Sequence, residues 1–447
     1  MSPWKVVGKV DQKSRVYLSL VILVIGIGGI YIINNTLPLI DTQTWVYRNP
    51  VIIPAYSPVG GDFREGLYKS AEILFFGAHY SGGLIDRLYP SIYPPLVNYL
   101  GLPFILFNEN TAYLIFIGLL VLINILSLLL AVFMTRRYWF VDLGIGEVFE
   151  VLISFFIFFT LLFFTLSSYP FLFSIERGNY DIIAIFFAFL SVFWLLKHPN
   201  HIWVHVILLS IATHLKIYPA ILFTVLFYKH RSKVIVPAVL VNLVFLFLLG
   251  SQNAWGFFQG ITYTAGTDHV LTWVGNHSAI SFARLILNNF QTVQPYSLFL
   301  FWGIFSLIPI IFWLVAAKNI FFQKYSECNA LLMVMVSIPL MNIIPSISHD
   351  YKLVILNPAI IFLIALIIRK IIINSNLADF IQLELVMIIL LFIGRSYYLF
   401  SPSLLFFGNK YLWTLGLELI MVINIINFPN IRVISNDIVT KGYSPKL

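Results

Sequence analysis

The chain has 447 residues, of which 60% are hydrophobic and only 10% are charged. A soluble domain carries about 25% charged residues, so this composition indicates a membrane protein and excludes a chain dominated by soluble domains. The formal net charge of +8 does not indicate a nucleic-acid partner, because the basic residues lie in short clusters between apolar runs, as in the loops that orient a membrane protein.

The first predicted element is a signal-anchor helix. A basic segment, residues 1–15, precedes the apolar run 17–33, and no small-residue cleavage site follows that run. We therefore expect the run to be retained as the first span, with residues 1–15 in the cytoplasm. Later runs such as 111–134 are long enough to cross a bilayer as helices, and they lack the alternation of barrel strands.

These runs predict an all-α fold, a polytopic helical bundle that forms a single integral membrane domain over residues 1–447. The positive-inside rule places both termini in the cytoplasm, including the tail 429–447. It also gives a long first external loop, residues 34–110, which we expect to carry juxtamembrane helices. Roughly twelve spans are predicted, at residues 17–33, 111–134, 148–167, 181–197, 202–215, 218–229, 233–250, 296–317, 328–345, 352–373, 380–394 and 411–428.

This topology collects five polar segments on the non-cytoplasmic face. Lysine and arginine clusters elsewhere fixed the topology, so the gathering of these segments is partly independent support for a single site there. The segments are residues 60–70, 174–181, 214–219, 274–285 and 346–353.

The segment that begins at Asp62 predicts an amphipathic helix in the membrane interface, with Phe63 and Leu67 on its apolar face. Asp62 follows Gly60-Gly61 directly, so we expect it at the N-cap of this helix. Two interpretations are open at this point. The carboxylate caps the helix, or it is a general base held where an acceptor hydroxyl and a lipid-borne donor meet.

Lys216 lies between two apolar stretches, with no acid next to it in the sequence and against the positive-inside rule. An ionisable residue at membrane depth indicates function, and a lysine suits a phosphate oxygen; the alternative is a side chain that snorkels to the interface. Before the span at 181, Glu176, Arg177, Asn179 and Asp181 are open to two interpretations, a hydrated loop with a cap or part of the site.

Two further segments carry candidate residues. Residues 276–284 contain Asn276, His277 and Arg284, and residues 349–352 read His-Asp-Tyr-Lys. The His349–Asp350 neighbours suggest acid–base or metal chemistry, but the chain has neither an HExxH spacing nor a DxD acidic pair.

The polar segments and their apolar spacers occur in an order that resembles the family-87 glycosyltransferases. These are polytopic GT-C enzymes and include polyprenol-phosphate-mannose-dependent mannosyltransferases. The resemblance covers most of residues 17–370. It implies that Asp62 is the catalytic base, that Lys216 is the family's lysine before Tyr-Pro, and that Asn276 opens the Asn-x-Ser segment. The sequence departs from the family where Tyr351 and Lys352 replace common histidines. The segments that carry the resemblance are 60–77, 89–96, 176–190, 215–223, 275–286 and 345–359.

The resemblance implies a membrane glycosyltransferase that moves a hexose, with mannose favoured, from a polyprenyl-phosphate sugar to a hydroxyl of a lipid-linked or glycan acceptor. The reaction would invert the anomeric centre on the non-cytoplasmic face of a plasma or inner membrane. Asp62 would deprotonate the acceptor, and cations would bind the departing phosphate. No metal or other cofactor is expected. The expected ligands of the donor phosphate are Lys216, Arg177, Arg284 and Arg64. The expected substrate-binding residues are Glu65, Tyr93, Asn179, Asn276, His277, His349, Asp350, Tyr351 and Lys352.

Two other functions are open to a chain of this kind. A secondary transporter would place ionisable groups near the midplane of two matching halves, whereas the polar segments here gather at one interface. A flippase, or a polymerase or ligase of lipid-linked glycans, would act at the same face. We expect the lipid bilayer, the lipid-phosphate donor and the acceptor to be the partners of this protein.

Overall fold

A computed structural model describes residues 12–36, 60–75, 93–143, 145–265, 275–289, 295–374, 376–395 and 408–428. The N-terminal residues 1–11, parts of the predicted first loop (37–59 and 76–92) and the tail 429–447 lie outside the described residues. Within the described ranges all regular structure is helical, apart from an isolated antiparallel bridge between Asn276 and His349.

The α-helices of eight residues or more follow the apolar runs of the sequence. Asn108 caps the helix that starts at Glu109, and its side chain accepts a hydrogen bond from the Thr111 amide at 3.0 Å. Ser326 and Asn376 cap two later helices in the same way. The helices are Gln12–Thr36, Glu109–Thr135, Glu147–Ser167, Tyr169–Arg177, Asp181–Lys197, Ile202–Leu215, Phe223–His230, Ile235–Leu246, Ser251–Ala265, Ala279–Asn289, Pro295–Phe321, Glu327–Ile343, Asn357–Asn374, Leu377–Gly394 and Tyr411–Ile426.

Shorter helical pieces connect these helices or extend them. Among the residues that the structure describes, three short α-helices lie before residue 102, two π-helical segments interrupt or prolong α-helices, and five segments are 3₁₀. They are the α-helices Gly61–Phe63, Lys69–Phe75 and Leu96–Gly101, the π-helices Arg64–Tyr68 and Arg136–Phe140, and the 3₁₀ segments Leu102–Leu106, Val141–Leu143, Tyr218–Leu222, Arg231–Val234 and Asp350–Leu356.

Five helices of the described chain are long and apolar enough to cross a membrane, and the count is seven if two sharply bent helix pairs each form one span. The prediction of a helical membrane protein is thus confirmed, whereas the number twelve stays a prediction. The difference arises where predicted spans are shorter or broken. The predicted span 233–250 ends as a helix at Leu246, and the helix from Ser251 turns away from the preceding helical stretch by 93°.

The helical stretch Asp350–Ile373 forms the centre of the bundle, since 94% of its most apolar window is buried, against 6% for Tyr296–Phe321. At one end of the central stretch, Lys370 forms a buried ion pair of 2.6 Å with Asp379 of the next helix. At its other end lie the polar residues Asp350, Tyr351 and Lys352. Three polar candidates of the sequence analysis therefore lie at one end of this helical stretch.

Candidate active site

The candidate site forms where the helix Tyr169–Arg177 breaks from the helix Asp181–Lys197 at an angle of 109°. The break requires Gly178, whose φ of 63° lies in the left-handed region. Gly60, with φ 93°, makes the second tight turn, and its amide donates to the Glu176 carbonyl at 2.7 Å. A Cβ on Gly60 would lie 2.7 Å from the Tyr113 ring, so only glycine allows this approach.

This close approach brings Asp62 onto Arg177 and Asn179. The Arg177 Nε donates to Asp62 Oδ1 at 3.1 Å, and the Nη2 of the same guanidinium binds that oxygen as well. The Asn179 amide donates to Asp62 Oδ2 at 2.7 Å. The N-cap prediction for Asp62 is wrong, because Gly60 takes the N-cap position and Asp62 lies in the first turn. Its buried carboxylate binds across the site instead.

Asp62 stays a carboxylate in this environment. Burial raises the pKa of its carboxyl, but the charges of Arg177 and Lys216 and the hydrogen bonds from Asn179 and Arg177 outweigh burial, and the pKa lies below the ordinary 3.8. A carboxylate with a low pKa accepts a proton less readily than one near neutrality. While it is bonded to Arg177 and Asn179, Asp62 is therefore charged and is a weak base.

Lys216 is the second cation of the site. It has no acidic neighbour in the sequence, but the fold gives it an acidic partner. Its ammonium lies 3.2 Å from the Asp181 carboxylate, at the start of the helix Asp181–Lys197. The same ammonium lies 4.9 Å from the centre of the Tyr93 ring and 4.4 Å from that of Tyr180. These cation–π contacts hold Lys216 between two aromatic faces, within electrostatic range of Asp62.

The end of the central helix completes the site. The Lys352 ammonium lies 4.2 Å from the centre of the Tyr218 ring and interacts electrostatically with Asp181 and Lys216. The Tyr351 ring packs 5.7 Å from that of Phe173 and is within electrostatic range of Asp62. We call Asp62, Arg177, Asp181, Lys216 and Lys352 the charge cluster.

His349 precedes this helix as a neutral imidazole. Burial lowers its pKa from 6.5 to about 3; Asp62 opposes the shift, while Arg177, His277 and Lys352 add to it. A neutral imidazole can donate or accept a hydrogen bond but supplies no charge to an anionic substrate. His349 therefore lies beside the charge cluster without adding to its positive charge.

Asn276 and His277 join three segments of the chain. The Asn276 side chain donates to the Ser346 carbonyl at 2.9 Å and accepts from the backbone amides of Ser278 and Ser348. The His277 Nδ1 accepts from the Lys410 amide at 3.0 Å, so Nε2 carries the proton and donates to Asp350. Through these hydrogen bonds the two side chains connect the loop before the helical stretch Asp350–Ile373 to residues 276–278 and to Lys410. Their predicted contacts with substrate stay predictions.

The remaining candidates lie on other partners or surfaces. Arg64 forms an ion pair of 3.3 Å with Glu109 and donates to Asn110 at 2.7 Å. Glu65 pairs with Lys69 on the exposed side of the same helix. Arg284 lies partly buried in the helix Ala279–Asn289. The substrate contacts of these three residues also stay predictions.

Sequence reasoning did not select Tyr180 and Tyr218, and it named Asp181 without pairing it with Lys216; these three residues surround the two lysines. A usable signal was present, since a lysine among apolar residues needs a buried counter-charge, and Asp181 begins an apolar span on the same predicted face. In the described part of the chain, no group of three or more His, Cys, Asp or Glu side chains is arranged to hold a metal ion. The metal-free reaction stays a prediction.

The fold and the site define a helical membrane protein with a cluster of buried and partly buried charges at a break between apolar helices. The chain belongs to glycosyltransferase family 87, whose family model matches residues 92–339, more than half of its length. The match includes Arg177, Asp181 and Lys216 and ends before Lys352, while Asp62 precedes it. No curated protein matches the chain. The resemblance inferred from the sequence is thereby confirmed, and the protein is a glycosyltransferase.

Proposed function

We propose that the protein transfers a hexose, mannose first, from a polyprenyl-phosphate sugar to a hydroxyl of a lipid-linked or glycan acceptor. The observation that carries this proposal is the buried Asp62 carboxylate beside Arg177 and within electrostatic range of Lys216. A base and two cations close together match the two demands of transfer from a lipid phosphate, which are removal of a proton and binding of an anionic leaving group.

The reaction is an inverting displacement at the anomeric carbon of the donor sugar. The acceptor oxygen forms a bond to that carbon while the bond from the carbon to the phosphate oxygen breaks, and its electron pair leaves with polyprenyl phosphate. The hydroxyl proton goes to Asp62. The phosphate changes from a singly charged diester to a monoester that carries more negative charge, which Arg177, Lys216 and Lys352 are placed to stabilise.

In this proposal the chemistry takes place on the non-cytoplasmic face of a plasma or inner membrane. Basic clusters such as Arg136-Arg137 and Arg369-Lys370 mark the cytoplasmic side under the positive-inside rule, and the charge cluster falls opposite to them in the predicted threading. A twelve-span bundle with a long first external loop is part of this proposal. The lipid chain of the donor would lie along the apolar helices while its phosphate reaches the site.

Membership in a glycosyltransferase family favours sugar transfer over a transporter or a flippase. Polymerisation or ligation of lipid-linked glycans differs from the proposed reaction in its donor, which would be a lipid pyrophosphate. The choice of donor in the assay therefore separates the two.

The test uses washed membranes that contain the overexpressed protein and supply the acceptor. Polyprenyl-phosphate mannose, glucose and galactose, each labelled in the sugar, are added one at a time, and a lipid-pyrophosphate glycan is added in parallel. Membranes with an equal amount of the Asp62→Asn variant are the control. We expect label transfer from one lipid-monophosphate hexose, and a loss of about 10²- to 10⁴-fold in the variant, the usual contribution of a general base.

Three results would each contradict a part of the proposal. If the lipid-pyrophosphate glycan alone supports transfer, the donor class is wrong. If the Asp62→Asn variant keeps near-normal turnover at equal expression, Asp62 is not the base. Retention of the donor's anomeric configuration in the product, read by NMR, would reject the single displacement.

A further inference from the structure

In the structure, carboxylates of the chain itself neutralise both principal cations of the site. Arg177 binds Asp62, and Lys216 binds Asp181. Neither pairing is local, since Asp62 and Arg177 are 115 residues apart in the sequence. The two groups best suited to hold a phosphate are thus occupied before any phosphate arrives.

In each ion pair the cation is the more exposed partner. The Arg177 side chain is 31% exposed and that of Asp62 is 8% exposed; the values for Lys216 and Asp181 are 14% and 2%. An incoming anion would therefore meet the guanidinium and the ammonium before it meets either carboxylate. Asn179 contacts both acidic residues: its side-chain amide donates to the Asp62 carboxylate, and its side-chain oxygen accepts from the Asp181 backbone amide at 2.9 Å.

The net charge of the cluster matches that of one phosphodiester. Arg177, Lys216, Asp62 and Asp181 sum to zero, and the protonated form of Lys352 makes the sum one positive charge. A singly charged phosphodiester makes the sum zero. After transfer the phosphate has gained one negative charge and Asp62 has gained the acceptor's proton, so the sum is still zero. A site of low dielectric favours such a balance, because an uncompensated buried charge is strongly unfavourable.

We propose that the donor phosphate replaces Asp62 and Asp181 as the partner of Arg177 and Lys216, so that Asp62 becomes available as a base only when the donor is bound. Asp181, which the proposed reaction does not otherwise use, is then a positioning residue that holds Lys216 until the donor binds. This inference rests on the proposed function for the identity of the ligand. It predicts that each acid competes with the phosphate.

This competition predicts the direction in which the affinity for the phosphate changes when an acid is removed. Asp62→Asn keeps the size and the hydrogen-bonding oxygen of the side chain but removes its charge, so Arg177 becomes free for the phosphate. Affinity for polyprenyl phosphate, measured on purified protein in nanodiscs, is expected to rise at least ten-fold, about 1.4 kcal/mol. Asp181→Asn is expected to raise it in the same direction, and it serves as the second variant if Asp62→Asn does not fold.

The matched control is Asp379→Asn, which breaks the buried ion pair with Lys370 away from the site. This change reproduces the loss of a buried carboxylate, and it is expected to leave the affinity for polyprenyl phosphate unchanged. A rise in affinity in this control as large as in Asp62→Asn would mean that loosened packing raises the affinity, and it would overturn the proposal.

A double-mutant cycle separates exchange of partners from simple charge repulsion. If Arg177 moves from Asp62 to the phosphate, the gain from Asp62→Asn must disappear when Arg177 is also changed to Gln. A gain that persists in the Arg177→Gln background would show repulsion alone and would overturn the exchange. Unchanged or weaker binding in both single variants, with normal transfer by the unaltered protein, would reject the exchange and leave the proposed function intact. Tighter binding without transfer from any donor would do the reverse.

Discussion

Gly178 and Phe63 touch backbone to side chain at the centre of the site, since a Cβ added to Gly178 would lie 2.6 Å from the Cβ of Phe63. No real pair of carbon atoms packs so closely. Through this contact the turn at Gly60, before Asp62, packs against the helix break at Gly178, after Arg177. The distance from the Asp62 carboxylate to the Arg177 guanidinium therefore depends on one residue without a side chain.

Gly178→Ala is expected to disrupt the site through this contact. The residue has φ 63°, which is unfavourable for alanine, and the added methyl group must push Phe63 away. The strain of about 1–3 kcal/mol should lower the thermal unfolding temperature, and the displacement should remove most transfer activity. The control is Gly118→Ala, in a helix where nothing lies within 4 Å of the new methyl group. Equal unfolding temperatures for the two variants would contradict the packing argument.

Lys216→Met is expected to weaken use of the donor more than use of the acceptor. The apolar side chain keeps the contacts with Tyr93 and Tyr180 but removes the charge that we propose binds the phosphate. We expect the KM for the lipid-phosphate sugar to rise by about ten-fold or more, with a smaller change in the KM for the acceptor. Lys370→Met, which also leaves a buried acid without its lysine, is the control. A donor KM that stays at the level of the control would remove Lys216 from the phosphate site.

Asn276→Ala is expected to destabilise the loop in front of the central helix. Its side chain accepts from two backbone amides and donates to the Ser346 carbonyl, so alanine leaves buried polar groups without partners. We expect a loss of about 1–3 kcal/mol, read as a lower unfolding temperature. Asn319→Ala is the control, because Asn319 is bonded within its own exposed helix turn. A loss no larger than in this control would show that the hydrogen bonds of Asn276 contribute little to stability.

His349→Gln is expected to reduce the acid sensitivity of the protein. Because the folded pKa is about 3 and the ordinary value 6.5, the unfolded chain binds a proton between these values that the folded chain does not. Stability should therefore fall as the pH drops through this range, and the glutamine variant should lose less. Asp62 does not confuse the comparison, since its pKa lies below 3.8. Unfolding temperatures between about pH 7.5 and about pH 4.5 provide the measurement, and parallel curves for variant and parent would contradict the prediction.

The polar residues of the site could be selected from the sequence, whereas their pairing was not predicted from it. Asp62, Arg177, Asn179 and Lys216 were candidates from the sequence, because charges are conspicuous in a chain with so few of them. Their partners were not predicted, as Lys216 and Asp62 show. Lys216 had no acid nearby in the sequence, yet it pairs with Asp181 of another helix. Asp62 looked like a helix cap, but Gly60 occupies that position and the carboxylate crosses to Arg177.

By itself the sequence determined that the protein is a helical membrane glycosyltransferase, because apolar runs must satisfy their backbone within helices in lipid and because the polar segments keep a recognisable order. Only the tertiary structure decided which charge meets which. Ion pairing between distant residues depends on how helices break and pack, and here Gly60 and Gly178 set that packing. Local patterns specify helices, whereas the contact of two helix ends is a property of the whole bundle.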